Sequence, residues 1–145
     1  MDAAALTAYL HQHIPLTRAL GARVESCGHG SAVVSAPLEP NLNHRNTAFG
    51  GSLATLAILS GWVVLHVALR EAGIDARLVV QKHECEFQQP VTAAFTARST
   101  LPPRDWEKFR AALQRRGRAR ISVVSELRSG DALVVQSTGT FVALT

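Results

Sequence analysis

Between Leu53 and Leu69 the chain is apolar almost without a break; from Ser52 to Leu69 the only polar side chains are Ser52, Thr55, Ser60, Trp62 and His66. The length and pattern predict a helix, and one that is apolar nearly all round has to be covered on most sides by other elements. A polar loop, Asn41 to Phe49, leads into it through the pair Gly50-Gly51, and Gly73-Ile74-Asp75 breaks the chain after it.

The flanking segments alternate in the manner of strands. Ala22 to Cys27 and Ser31 to Leu38 predict a hairpin across Gly28-His29-Gly30. Arg77 to Phe87 predicts a long strand closed by Gln88-Gln89-Pro90, since proline is expelled from strand interiors. Val91 to Leu101 predicts the next strand, stopped by Pro102-Pro103. Arg118 to Arg128 and Ala132 to Leu144 predict a second hairpin through Ser129-Gly130-Asp131.

Two outer helical pieces complete the pattern. Ala3 to His13 carries Leu6, Tyr9 and Leu10 on one side and ends at Pro15, with a short helical piece from Leu16 to Leu20 stopped by Gly21. Arg104 to Gly117 is amphipathic, with Trp106, Phe109, Ala112 and Leu113 on one face. Asp105 near its start and the arginines near its end suit the helix dipole. The expected architecture is α+β: a long central helix wrapped by an antiparallel sheet of about six strands, in one domain spanning 1–145.

Composition narrows the class. The chain has 145 residues, 47% hydrophobic and 18% charged, which is globular rather than disordered. The first charge is Asp2 rather than a basic residue, so a signal peptide is not expected. The Leu53–Leu69 run is shorter than the ~20 residues of a membrane span. Cys27 and Cys85 form neither a disulfide framework nor a CxxC metal signature, and a reducing, cytoplasmic compartment is expected, with no metal or other cofactor. The net charge of +4 suits an acidic or phosphorylated partner. Aromatic residues do not interleave with the arginines as a nucleic-acid platform requires, so no nucleic acid is expected.

The element order, with Phe49-Gly50-Gly51-Ser52 opening the long helix, resembles the hotdog fold of acyl thioesterases and dehydratases. More narrowly, Pro40-Asn41-Leu42-Asn43-His44, Thr47-Ala48-Phe49-Gly50-Gly51-Ser52 and Ser60-Gly61-Trp62 look like the thioesterase-like domain that some bacteria carry fused to an N-acetyltransferase domain. Phe87-Gln88-Gln89-Pro90-Val91 is similar to the strand-ending Phe-x-x-Pro segment of hotdog proteins. The resemblance spans essentially the whole chain, which would be the thioesterase-like half standing alone. It implies a homodimer or dimer of dimers, with active sites at the dimer interface that admit the pantetheine arm of coenzyme A or an acyl carrier protein.

The resemblance directs attention to the loop and the helix start. Free N–H groups and the positive dipole end at Gly50 and Gly51 suit an oxyanion, and glycine lets a substrate oxygen come close. Asn43 matches the polar residue that many hotdog thioesterases place near the scissile thioester. Many also carry a carboxylate about two turns into the central helix, but that position falls here at Ile58 or Leu59, and no carboxylate occurs before Glu71. The base must then come from elsewhere. His44 is nearest in sequence, histidine being the side chain best suited to proton exchange near neutral pH; His83 and Glu84 are the others, and Gln89 could hold water. Thr47, Phe49 and Ser52 complete the expected substrate-binding set, and Asn43, His44 and Gly51 the catalytic one. Arg104, Lys108, Arg110, Arg115, Arg116, Arg118 and Arg120 form a basic set that could grip coenzyme A phosphates or an acidic carrier protein. The missing carboxylate leaves open a non-hydrolytic acyl- or acyl-CoA-binding role. A dehydratase is disfavoured by the absence of a His-and-carboxylate pair at suitable spacing.

Overall fold

A computed structural model describes residues 2–145. The chain runs α1 (Ala3–His13), α2 (Pro15–Leu20), β1 (Arg23–Gly28), β2 (Ser31–Ala36), a 3-10 turn (Glu39–Asn41), α3 (Gly50–Glu71), β3 (Arg77–Phe87), β4 (Phe95–Thr100), α4 (Pro103–Arg116), β5 (Arg118–Ser129) and β6 (Ala132–Leu144). The strands form one antiparallel sheet in the order β1-β2-β4-β5-β6-β3. The helix α3 touches every strand, which is the hotdog arrangement expected above.

The apolar run is thus a core helix. Leu53, Leu56, Ala57, Ser60, Gly61, Val63, Val64 and Leu65 are all buried against the sheet. Each fully buried leucine or valine stabilises the fold by about 1.5–3 kcal/mol. Strands β5 and β6 bury alternate residues toward α3, among them Ile121, Val123 and Leu127, and Val135, Phe141 and Ala143. Where the helix meets the sheet closely, three buried hydroxyls replace apolar contact. Ser60 lies 2.8 Å from Ser99 and 3.2 Å from Ser125, and Ser60 and Ser125 both donate to the Ala57 carbonyl, so the cluster is satisfied internally.

The segment α1–α2 closes the helix side. Asp2 caps α1 by accepting from the Ala5 N–H at 2.7 Å. Tyr9 of α1 stacks on His66 of α3, which stacks in turn on Trp62 at a centroid distance of 4.5 Å. Trp62 Nε1 donates to the Leu78 carbonyl at 3.1 Å, tying α3 to the edge strand β3.

Beyond shifts of one residue at element ends, three features differ from expectation. Pro37 ends β2 at Ala36, because it cannot donate to the sheet ladder. The expected strand from Val91 starts only at Phe95; Thr92, Ala93 and Ala94 are exposed, and Val91 is buried as an anchor, its carbonyl accepting from the Ala48 N–H at 2.8 Å. The 3-10 turn at Glu39–Asn41 has no counterpart in the sequence reading.

Candidate functional site

The loop that feeds α3 is held from within. Asn41 is buried, and its Nδ2 donates to the Leu20 carbonyl at 2.9 Å and the Pro37 carbonyl at 2.7 Å. Its own carbonyl accepts from the Phe49 N–H at 2.7 Å, which fixes the residue that starts the helix. Asn43 organises the tip. Its Oδ1 accepts from the Arg45 and Thr47 N–H groups at 2.8 and 3.1 Å, while its Nδ2 donates to Thr47 Oγ1 at 2.8 Å. That Asx-turn geometry uses the Asn43 and Thr47 side chains largely on the loop itself. Asn46 sits at φ 62°, a conformation asparagine tolerates. His44 projects from this tip and is exposed.

Helix α3 begins without a side-chain cap, since its N-cap residue is Phe49. The Ser52 and Leu53 N–H groups both donate to the Phe49 carbonyl, at 2.9 and 3.1 Å. Among the described residues no acceptor meets the N–H groups of Gly50 and Gly51. Two orphan donors therefore stand at the positive end of a 22-residue helix, with the exposed rings of Phe49 and Phe87 beside the two glycines.

The two glycines serve different purposes. A Cβ on Gly51 would collide with the Phe49 ring as it lies, so a side chain there would have to displace that exposed ring. A Cβ on Gly50 would meet only the Phe87 ring, in ordinary contact at 3.7 Å, and neither glycine needs a positive φ. Beside Gly51 a cavity of about 360 Å³ opens between α2 and α3, walled by Leu16, Ala19, Leu20, Pro40 and Phe49 and floored by Ser52 and Thr55.

The strand β3 forms the other wall. His83 and Cys85 share the face toward α3 with Phe87, whereas Glu84 lies on the opposite face. Cys85 Sγ lies 3.6 Å from His83 Nδ1. Burial pushes the Cys85 thiol up and the His83 imidazole down, so the pair rests neutral. Glu84 is exposed and paired with Lys82 at 2.9 Å, and the Lys82 hydrogen bond and charge hold its carboxyl below the ordinary range. Gln89 is exposed at the strand exit, where its Nε2 donates to the Leu133 carbonyl at 3.5 Å.

The chain thus brings Asn43, Thr47, Phe49, Gly50, Gly51 and Ser52 together at the helix entrance. His44 stands on the same loop, His83 on the facing strand, and Glu84 turns away from α3. Ile58 is half-buried and Leu59 buried, so no carboxylate arises from the body of α3. Asn41 was missed from sequence. It lies two residues from Asn43 in the same polar loop, and no local pattern separates the buried one from the exposed-tip one.

Several solved structures share this fold. A "putative thioesterase" from Shewanella oneidensis is 26% identical over 99% of this chain and 97% of that one, with a TM-score of 0.90. A protein of unknown function from Chlorobaculum tepidum is also 26% identical, over 97% of this chain and 93% of that one, with the same TM-score of 0.90. A thioesterase from Haemophilus influenzae has a TM-score of 0.78 at 16% identity, covering 100% of this chain and 92% of that one, and bears on the fold alone. The family model described as "Putative thioesterase (yiiD_Cterm)" matches residues 3–145, and the chain belongs to that family of hotdog proteins.

Proposed function

We propose that this protein hydrolyses acyl thioesters of coenzyme A or of an acyl carrier protein, at a site completed by a second copy of the chain. The observation that carries this reading is the pair of orphan N–H groups at Gly50 and Gly51. A thioester carbonyl seated there would develop its negative charge against two backbone donors and the dipole of α3. Since the protein's own packing leaves room for a Cβ on Gly50, the missing side chain is best explained by a substrate atom that comes close. The cavity bounded by Leu16, Leu20 and Phe49 suits the acyl chain.

In the proposed reaction a water oxygen attacks the thioester carbonyl carbon while the His44 imidazole takes the water's proton. The tetrahedral oxyanion then collapses, the carbon–sulfur bond breaks, and the proton passes to the departing sulfur, leaving a carboxylic acid and a thiol. Asn43 and Thr47 hold the loop in the shape that presents His44. A second copy is supported by β3, which among the described residues pairs only with β6 and so leaves one edge open. That strand also exposes Val79, Val80 and Phe87. An open apolar edge is a template for another strand, and two-fold pairing would satisfy it.

Ile58 and Leu59, in place of a helix carboxylate, favour the competing reading of an acyl-binding protein without hydrolysis. A panel of acyl-CoA and acyl-carrier-protein thioesters of several chain lengths, assayed for thiol release with wild type, Gly50→Ala and His44→Ala, decides between them. The hydrolytic reading expects turnover that falls at least about tenfold in Gly50→Ala with the fold intact, because the added methyl displaces the thioester carbonyl from the donors. No release above buffer on any chain length would overturn it and leave the binding reading standing. Turnover unchanged in His44→Ala would remove that residue from the mechanism.

A further inference from the structure

On β5 the exposed Arg118, Arg120 and Ser122 alternate with Ile121 and Val123, which are buried on the α3 side. The three therefore project from the outer face of the sheet, away from the glycine entrance. Helix α4 rises beside them and closes a groove of about 670 Å³. That volume falls within the range of about 300–1,000 Å³ typical of small-ligand sites.

Four cations line the groove: Lys108 and Arg116 from α4, Arg118 and Arg120 from β5. Asp105 is the one carboxylate among the lining residues. Among the described residues none of the four cations forms an ion pair. Like charges gathered in a concavity repel one another and focus a positive potential into it. Arg120 is oriented besides, its Nη1 donating to Gln81 Oε1 at 3.2 Å. The partly exposed apolar side chains of Ala112 and Val142 make up the remaining wall. A ligand that fits both parts carries several negative charges at one end and a flat, weakly polar ring at the other.

We propose that this groove is a second ligand site and that it takes a nucleoside polyphosphate. The guanidiniums of Arg116, Arg118 and Arg120 and the ammonium of Lys108 hold the phosphates, and the apolar wall takes the base. The same chemistry could come from a free nucleotide or from the nucleotide end of a coenzyme A ester. Only the second source rests on the thioesterase reading.

Calorimetric titration with ADP, adenosine 3′,5′-bisphosphate and coenzyme A, at low salt and again at 0.5 M salt, tests the site. The variants are Arg116→Gln/Arg120→Gln, Arg116→Lys/Arg120→Lys and Asp105→Asn. Binding is expected to weaken about tenfold for each guanidinium removed, to be partly retained in the lysine variant, and to weaken with salt. Asp105→Asn, which removes the opposing charge, is expected to tighten it. Coenzyme A binding much more tightly than either nucleotide would assign the site to a thioester substrate; equal affinities would assign it to free nucleotide. Gly50→Ala is expected to leave nucleotide binding unchanged, so a failure of the hydrolytic reading would not touch this one. No binding by any of the three ligands, or binding indifferent to the double glutamine substitution, would overturn the proposal.

Discussion

The ring of Phe141 lies so close to Gly61 that a Cβ built on that glycine would sit 2.9 Å from Phe141 Cζ. The same ring is pinned from behind, where a Cβ on Gly139 would stand 2.8 Å from Phe141 Cε2. Gly61 lies mid-helix, where alanine would ordinarily be better by about 1 kcal/mol. Overpacking a rigid, buried ring costs about 1–3 kcal/mol, so the steric penalty should win. Gly61→Ala is therefore expected to lower stability by roughly 1–2 kcal/mol in urea unfolding. In a Phe141→Leu background the penalty should largely vanish, giving a favourable coupling in the double-mutant cycle. A stabilised Gly61→Ala single variant would show that the ring yields.

Acid sensitivity should trace to two imidazoles. Burial lowers the pKa of His66, with the nearby Arg70 charge adding to it, and burial lowers that of His83. The buried Nε2 of His66 also has no hydrogen-bond partner among the described residues. Between the ordinary value of 6.5 and the depressed folded values, the unfolded chain binds more protons than the folded one. The stability contribution of each neutral imidazole is thus complete above the ordinary value and is lost as pH falls through that window. His66→Phe keeps a ring to stack on Trp62 and Tyr9 but cannot titrate. Unfolding free energies measured from pH 5 to 8 should show a shallower slope for this variant than for wild type. Equal slopes would mean that His66 titrates alike in both states.

The long buried helix, its glycine start and the amphipathic α4 were legible because each rests on a local period or a terminal signal. Phe109 and Leu113 are buried as the spacing of α4 predicts, and Gly117 caps that helix at φ 74°. What local pattern could not reveal lies where distant segments meet. The polar block Gln81 to Glu84 hides a register shift between Val80 and Lys82 against β6, and the faces of His83 and Glu84 follow from that pairing. As the sheet edge, β3 is mostly exposed, so burial leaves no clean alternation to read. Val91 is buried because Ala48 needs its carbonyl, a contact between residues far apart in sequence. At the candidate site the residue types were readable, but their hydrogen-bond partners were not: sequence alone leaves Asn43 open between a substrate-side amide and a loop-holding one, and its side chain is engaged within its own loop.

Asn41 and Asn43 should respond in opposite ways to the same change. Asn41 acts as a donor, its Nδ2 serving the Leu20 and Pro37 carbonyls at 2.9 and 2.7 Å in a buried place. Aspartate there would set a carboxylate oxygen against two carbonyl oxygens and place a charge where little water reaches it. Alanine would merely leave the two carbonyls unpaired, at about 1–3 kcal/mol for such a loss. Asn43 acts mainly as an acceptor, its Oδ1 taking the Arg45 and Thr47 N–H groups. Aspartate keeps that geometry, and the Thr47 hydroxyl, which accepts from Asn43 Nδ2 at 2.8 Å, can turn to donate instead. The expected order of urea midpoints is therefore wild type close to Asn43→Asp, then Asn41→Ala, then Asn41→Asp lowest. Asn41→Asp as stable as Asn43→Asp would contradict the donor role of Asn41 and the anchoring of the helix entrance that depends on it.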